Sequence, residues 1–265
     1  MNSQDVINQF FESPPVILQA GIGVGSEVCI AHYLDLLRSL SDVFEDTVYV
    51  IDFQQRCFRY VSNKGPFLYS HRPDEVLQSG YHFYAEVIHP DDYRMLVEIH
   101  RAVVRYFSHP DTPIHDLSYV VFDIRLRGYT GKIMLSHKVF PLVVNGQANL
   151  AVCCVSSSTA GKPGNLFAYY RNQSGVRYCY SFENKLWEQA PVVQLRQLEW
   201  EILCLSKQGI SDKELSDITG ISYQTLRNTK NIIYKKLNVH SMIQAILFSS
   251  NHKIHITPNY SHHHK

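Results

Sequence analysis

The spacing of apolar residues along this 265-residue chain changes several times, and each change marks a different kind of element. Ile30, Tyr33, Leu34, Leu37 and Leu40 recur at intervals of three and four, which predicts one helix within Val16–Val43, after a start punctuated by Gly21, Gly23 and Gly25. The period then drops. Thr47–Asp52 and Arg56–Val61 are rich in β-branched and aromatic residues and read as two strands joined by a tight turn at Phe53–Gln55. A helical middle follows, in which Pro73-Asp74-Glu75 and Pro90-Asp91-Asp92 set proline at a first helical position and carboxylates in the first turn, near the positive end of the helix dipole. Arg94–Phe107 reads as the longest helix of this region. Leu117–Arg127, Lys132–Val144 and Asn149–Ser156 return to strand character, the last two separated by the hairpin signal Asn145-Gly146. Ser157–Gly164 has linker composition, and Leu166–Tyr170 with Val176–Phe182 reads as an aromatic hairpin.

The last third carries the clearest helical pattern. Leu195, Leu198, Ile202 and Leu205 step by three, four and three, and Gly209 closes that helix. Ser211-Asp212-Lys213-Glu214 is a capping box that opens a short helix, Asp212–Ile218. Thr219-Gly220-Ile221-Ser222 supplies a glycine turn and a new N-cap, so Tyr223–Leu237 is the next helix, and Ser241-Met242-Ile243-Gln244 caps a fourth. Two helices joined by such a turn form a helix-turn-helix. At 100° per residue from Tyr223, Leu226, Ile233 and Leu237 lie at about 300°, 280° and 320°, a narrow core stripe, whereas Gln224, Asn228, Asn231 and Lys235 lie between about 80° and 140°. Amides and an ammonium on an exposed face are the groups that read base edges and phosphates in a major groove.

Composition alters this picture only when divided. The whole chain has 25 Lys+Arg against 24 Asp+Glu, a formal +1, which on its own argues for no nucleic-acid or membrane partner. Residues 1–190 hold 16 basic against 19 acidic side chains, net −3, and residues 191–250 hold 7 against 5, net +2. Within Tyr223–Leu237, Arg227, Lys230, Lys235 and Lys236 give +4 with no acid. The six cysteines show neither CxxC nor regular spacing and read as reduced thiols. With no basic-then-apolar leader and no apolar run near the roughly 18 residues of a membrane span, a cytoplasmic location with no membrane partner is expected.

The strings Leu198-Glu199-Trp200-Glu201-Ile202-Leu203, Gly209-Ile210-Ser211-Asp212-Lys213-Glu214-Leu215, Ile221-Ser222-Tyr223-Gln224-Thr225-Leu226-Arg227-Asn228 and Lys236-Leu237-Asn238-Val239 resemble the DNA-binding domain of the LuxR/GerE family over roughly residues 195–248. The resemblance implies base contacts by Arg227, Asn228 and Asn231, to which the helix geometry adds Gln224. It implies phosphate contacts by Lys213, Ser222, Thr225, Lys230 and Lys235, and a dimer helix carrying Met242, Ile243 and Ile246. Leu198, Thr229 and Met242 depart from the residues most frequent in that family. Strand pair, helices and three-stranded meander over residues 45–156 resemble a PAS sensor domain, carried by Val48–Asp52, Tyr60–Asn63 and Val87–Asp92.

The expected architecture is therefore an N-terminal helical extension (1–44), an α+β PAS-like domain with an antiparallel sheet flanked by helices (45–156), a linker with an aromatic hairpin (157–190), an all-α four-helix helix-turn-helix domain (191–250) and a His-rich tail (251–265). The expected function is a non-enzymatic transcription regulator that binds double-stranded DNA as a homodimer and takes a small-molecule or protein signal; the alternative is a PAS-like region that only docks protein or dimerises. Tyr49, Tyr60, Phe67 and Tyr84 are candidates to line a ligand pocket, and with Tyr81 and Phe83 they equally suit an aromatic core. His89, Asp91 and Asp92 read as a helix start rather than a metal site, and His82, His100 and His115 as ordinary rather than haem-ligating histidines. No catalytic set, metal site or cofactor is expected.

Overall fold

Thr47–Asp52 is buried at every position, as a strand must be when covered on both faces, and the sheet is built around it. The computed structural model describes residues 3–11, 24–128, 133–144, 147–173 and 175–257. The chain divides into two compact units, Met1–Asn172 with Tyr178–Gln189, and Gln173–Arg177 with Ala190–Lys265.

In the first unit, β1 (Thr47–Asp52) pairs antiparallel with β2 (Cys57–Val61) on one side and β5 (Gln147–Ser157) on the other. β4 (Met134–Val144) pairs antiparallel with β5 and with β3 (Leu117–Arg125), giving the order β2-β1-β5-β4-β3 with the helices inserted between β2 and β3. That is the arrangement of a PAS-like α+β domain. The inserted helices are α3 (Pro73–Ser79), α4 (His82–Val87) and α5 (Pro90–Ser108), after a 3-10 turn at Pro66–Leu68. Gly65 before that turn is required: at φ 90° a Cβ would fall 2.3 Å from the Thr47 amide of β1. α1 (Ser3–Phe10) adds Val6, Phe10 and Phe11 to the core on the helix-covered face, while α2 (Val24–Ser41) sets Ile30 and Leu34 against Val50 and Leu150 on the other face.

The structure differs from the sequence expectation in three places. Residues read as a linker with a hairpin form β6 (Gly164–Tyr170), β7 (Val176–Ser181) and β8 (Leu186–Pro191), which extend the sheet beyond β3 to eight strands. The turn composition of residues 157–164 was real, but it is a connection within the sheet, with β6 antiparallel to β3. Residues read as part of the tail form β10 (Ile254–Thr257), parallel to β9 (Val193–Arg196) in the second unit; Ile-His-Ile-Thr alternates and is β-branched, which suits a strand. Tyr60 lies apart from the other pocket candidates. Side chains alternate along a strand, so in β2 Phe58 enters the helix-covered core and Tyr60, opposite Val50, packs on the α2 side, its hydroxyl 2.5 Å from Ser41 Oγ. The glycine start before α2, the Asn145-Gly146 turn and His262–His264 lie outside the described residues.

The second unit contains α6 (Gln197–Lys207), α7 (Asp212–Thr219), α8 (Tyr223–Leu237) and α9 (Met242–Asn251) around Leu195, Ile202, Leu203, Leu215, Leu226, Ile233, Leu237, Val239 and Ala245. Its three helix starts after the first are capped as the sequence predicts: Ser211 Oγ accepts from the Glu214 amide, Ser222 Oγ from the Thr225 amide at 3.1 Å, and Ser241 Oγ from the Gln244 amide at 3.3 Å.

Candidate nucleic-acid interface

α8 is positioned by its apolar stripe and its ends. Leu226, Ile233 and Leu237 are buried, Gly220 ends α7 with φ 67°, and Asn238 ends α8 in the left-handed region with φ 54°. Opposite that stripe, Gln224, Arg227, Asn228, Asn231 and Lys235 are all exposed, and Gln224 Nε2 donates to Asn228 Oδ1 at 3.2 Å, so the first two amides are held edge to edge. Lys213 on α7 and Ser222 and Thr225 at the α8 start are also exposed. The two hydroxyls lie 2.9 Å apart and belong to the cap, with the amides of the first turn beside them.

The four cations of α8 are not equivalent. Lys230 Nζ is paired with Asp212 of α7, and Lys236 Nζ donates at 2.6 Å to Glu199 Oε2 of α6. Lys230, which the family resemblance sets on a phosphate, lies off the exposed row: at about 340° it sits beside Leu237 at about 320°, on the edge that faces α7. Glu199 is 3% exposed and also accepts from the Arg196 amide at 2.8 Å, so one carboxylate caps α6 and ties it to α8. Among the described residues, Arg227 and Lys235 are the cations of α8 with no acidic partner. Sequence reasoning missed both anchoring acids. The signal was present, since Glu199 and Asp212 stand in first helical turns, but their roles as cap and anion hid the ion pair.

α9 presents Ile243 72% exposed, with Met242 and Ile246 half-buried, so the residues expected at a dimer contact are partly covered by their own core. Tyr223, at the first position of α8, is 60% exposed and was not singled out from the sequence.

In the PAS-like unit, three of the four pocket candidates meet. Tyr49 stacks on Phe67 at 5.2 Å, and the Tyr84 hydroxyl donates to the Tyr49 oxygen at 3.2 Å. The Tyr49 hydroxyl lies 3.2 Å from Nδ1 of His137, a fully buried imidazole whose pKa burial lowers to about 3. A cavity of about 30 Å³ is lined by Tyr49, Tyr84, His100, Phe122, Cys153 and neighbouring aliphatic residues. That is a water-sized space. His100 does not face solvent: it contacts the Tyr81 hydroxyl at 3.0 Å and the Phe10 carbonyl at 3.3 Å, and burial lowers its pKa to about 3. His89 is the N-cap of α5, accepting from the Asp91 amide, and Asp92 is bound by Arg125 through two guanidinium nitrogens, at 2.9 and 2.5 Å. Among the described residues no group of three His, Cys, Asp or Glu side chains is placed to hold a metal ion, and no helix is long and apolar enough to cross a membrane.

Residues 194–249 match the family described as bacterial regulatory proteins, luxR family (GerE), and are a LuxR-type helix-turn-helix DNA-binding domain. No curated protein matches the chain. Similar solved structures include a phage VqmA–DPO complex, 12% identical, with 85% of this chain and 90% of that one covered at a TM-score of 0.31. A Vibrio cholerae VqmA dimer without target DNA is 14% identical over 84% and 87% of the two chains, at a TM-score of 0.32. VqmA bound to DPO is 13% identical over 86% and 92%, also at 0.32.

Proposed function

We propose that the protein is a transcription regulator in which the PAS-like unit supplies a sensory or dimerising input and α8 reads operator DNA in the major groove. The observation that carries this proposal is the exposed, acid-free row on α8 opposite its buried stripe. Gln224, Arg227, Asn228 and Asn231 contact base edges, whose donor and acceptor patterns suit amides and a guanidinium. Lys213, Ser222, Thr225 and Lys235 hold phosphates, and Lys230 does so by exchanging Asp212 for a phosphate oxygen. Two copies meeting through Met242, Ile243 and Ile246 set two α8 helices on half-sites roughly 34–36 Å apart.

Binding of the full chain to an operator selected from random DNA tests the assignment. Arg227→Ala and Asn228→Ala each weaken specific binding by about 1–3 kcal/mol and relax sequence preference, while Lys235→Ala weakens all sequences alike and lowers the salt slope by about one. Unchanged operator binding in all three variants overturns the placement of α8.

A second reading, in which the PAS-like unit docks protein or dimerises without a small molecule, is favoured by its aromatic core, which leaves a space of about 30 Å³ beside Tyr49 and Tyr84. Native mass spectrometry of protein purified from its own host separates the two: a stoichiometric bound compound supports sensing, and an empty chain supports docking.

A further inference from the structure

The exposed face of α8 is not wholly polar. Ile232 is 42% exposed, and at about 180° from Tyr223 it flanks the row of Gln224, Arg227, Asn228 and Asn231, which spans about 40° to 140°. The nearest member of the row is Asn228, one turn earlier at about 140°. Side chains lean toward the N-terminus of a helix, so Ile232 lies over the turn that carries Asn228. The core does not account for an isoleucine here, because Leu226, Ile233 and Leu237 fill a buried stripe centred near 300°, about 120° away. Helix propensity does not account for it either, since a β-branched residue is a poorer helix former than the alanine, lysine or glutamate that suits an exposed helical position.

We propose that Ile232 determines part of the operator specificity by reading the C5-methyl group of a thymine beside the base pair met by Asn228. The inference rests on the placement of α8 in the major groove. The chemistry of the groove supports it, since thymine is the one standard base that offers an apolar group there. That methyl group projects from the outer part of the pyrimidine edge, next to the backbone of its own strand. The side chain that meets it therefore comes from the flank of a recognition face rather than from its centre. Ile232 stands on such a flank, about 90° from the middle of the row. Asn228 suits the same step, because an amide bonds N6 and N7 of an adenine as a bidentate pair. The stiff χ1 of isoleucine adds a further advantage: its methyl groups point in one direction before binding and lose little freedom against the base. Taking one methyl group out of water corresponds to about a fourfold gain in affinity.

Replacing the thymines of the selected operator one at a time by deoxyuridine, which lacks only the methyl group, tests this with the full chain. In each half-site one replacement beside the Asn228 pair weakens wild-type binding by about fourfold. Ile232→Ala, whose circular dichroism matches the wild type, no longer distinguishes thymine from deoxyuridine at that position and responds to the other replacements as the wild type does. A second probe leaves the protein untouched: with cytosine at that position, 5-methylation strengthens wild-type binding by about the same factor. A wild type indifferent to every thymine methyl group overturns the proposal. So does an Ile232→Ala variant that keeps the full preference for thymine, or a wild type that gains nothing from 5-methylation. Arg227→Ala and Asn228→Ala separate such a failure from that of the operator assignment. If they still weaken specific binding, α8 stays in the groove and Ile232 alone loses its role; if they do not, both readings fall.

Discussion

The two units treat polar side chains in opposite ways. The PAS-like unit buries them and partners many from within: Tyr84, Tyr49 and Nδ1 of His137 form a chain of contacts in the core, Asp92 is bound by Arg125, and Asp123, 1% exposed, accepts from Ser158 at 2.6 Å and Asn165 at 3.0 Å, while His137 Nε2 and Thr47 Oγ1 are buried with no hydrogen-bond partner among the described residues. The helix-turn-helix unit keeps its amides and two of its α8 cations in solvent and uses acids from α6 and α7 to hold the other two. A buried polar group costs free energy unless partnered, so the first unit gains a rigid, specified core, whereas the second keeps groups whose partners lie outside the chain. The difference also corrects the charge count. A formal +4 on α8 becomes two cations available without breaking an internal pair, which implies a shallow salt dependence per protomer.

The largest test of this contrast is acidification. His100 and His137 have folded pKa values of about 3 against an unfolded 6.5, so between those values the unfolded chain binds more protons and stability falls as pH falls. Between pH 7 and pH 5 each histidine costs on the order of 2 kcal/mol, all of it in the PAS-like unit. Urea unfolding followed by Trp187 in that unit and Trp200 in the other shows the Trp187 midpoint falling first; equal shifts in both, or none, break the contrast. Next comes Glu199→Gln. It removes the charge that holds Lys236 while retaining an acceptor for the Arg196 amide, and it destabilises the helix-turn-helix unit by about 1–3 kcal/mol with the Trp187 transition unchanged. The smallest effect is Asp212→Asn. Asp212 is 44% exposed, so stability changes by less than about 1 kcal/mol. Lys230 then reaches its phosphate without giving up Asp212, so the variant binds all sequences more tightly while the salt slope stays that of the wild type. A slope steeper by about one shows instead that Lys230 stays on Asp212 in the wild-type complex.

The helices of the second unit were legible because their signals are local. Ser211-Glu214, Gly220, Ser222 and the Leu226/Ile233/Leu237 stripe each act within a turn or two of the chain, and the structure begins and ends α8 at the residues they mark. The first unit was legible in its element order but not in its extent: β6 pairs with β3 across some 40 residues of sequence, and no local pattern says whether a hairpin joins a sheet. Tyr60 shows the same limit at one residue. Its composition as an aromatic in a strand was plain, but which face of the sheet it meets depends on the register of β1 against β2.

The sequence by itself therefore determined the helix-turn-helix, its caps and its acid-free face, since helical periodicity and capping are properties of neighbouring residues. Only the tertiary structure decided which cations of α8 are already paired, which aromatics share a core, and that α2 has a second apolar stripe, Tyr33, Leu36 and Leu40, that stays partly exposed. Those are properties of residues brought together from distant positions, where pairing and burial depend on register and packing rather than on the order of the chain.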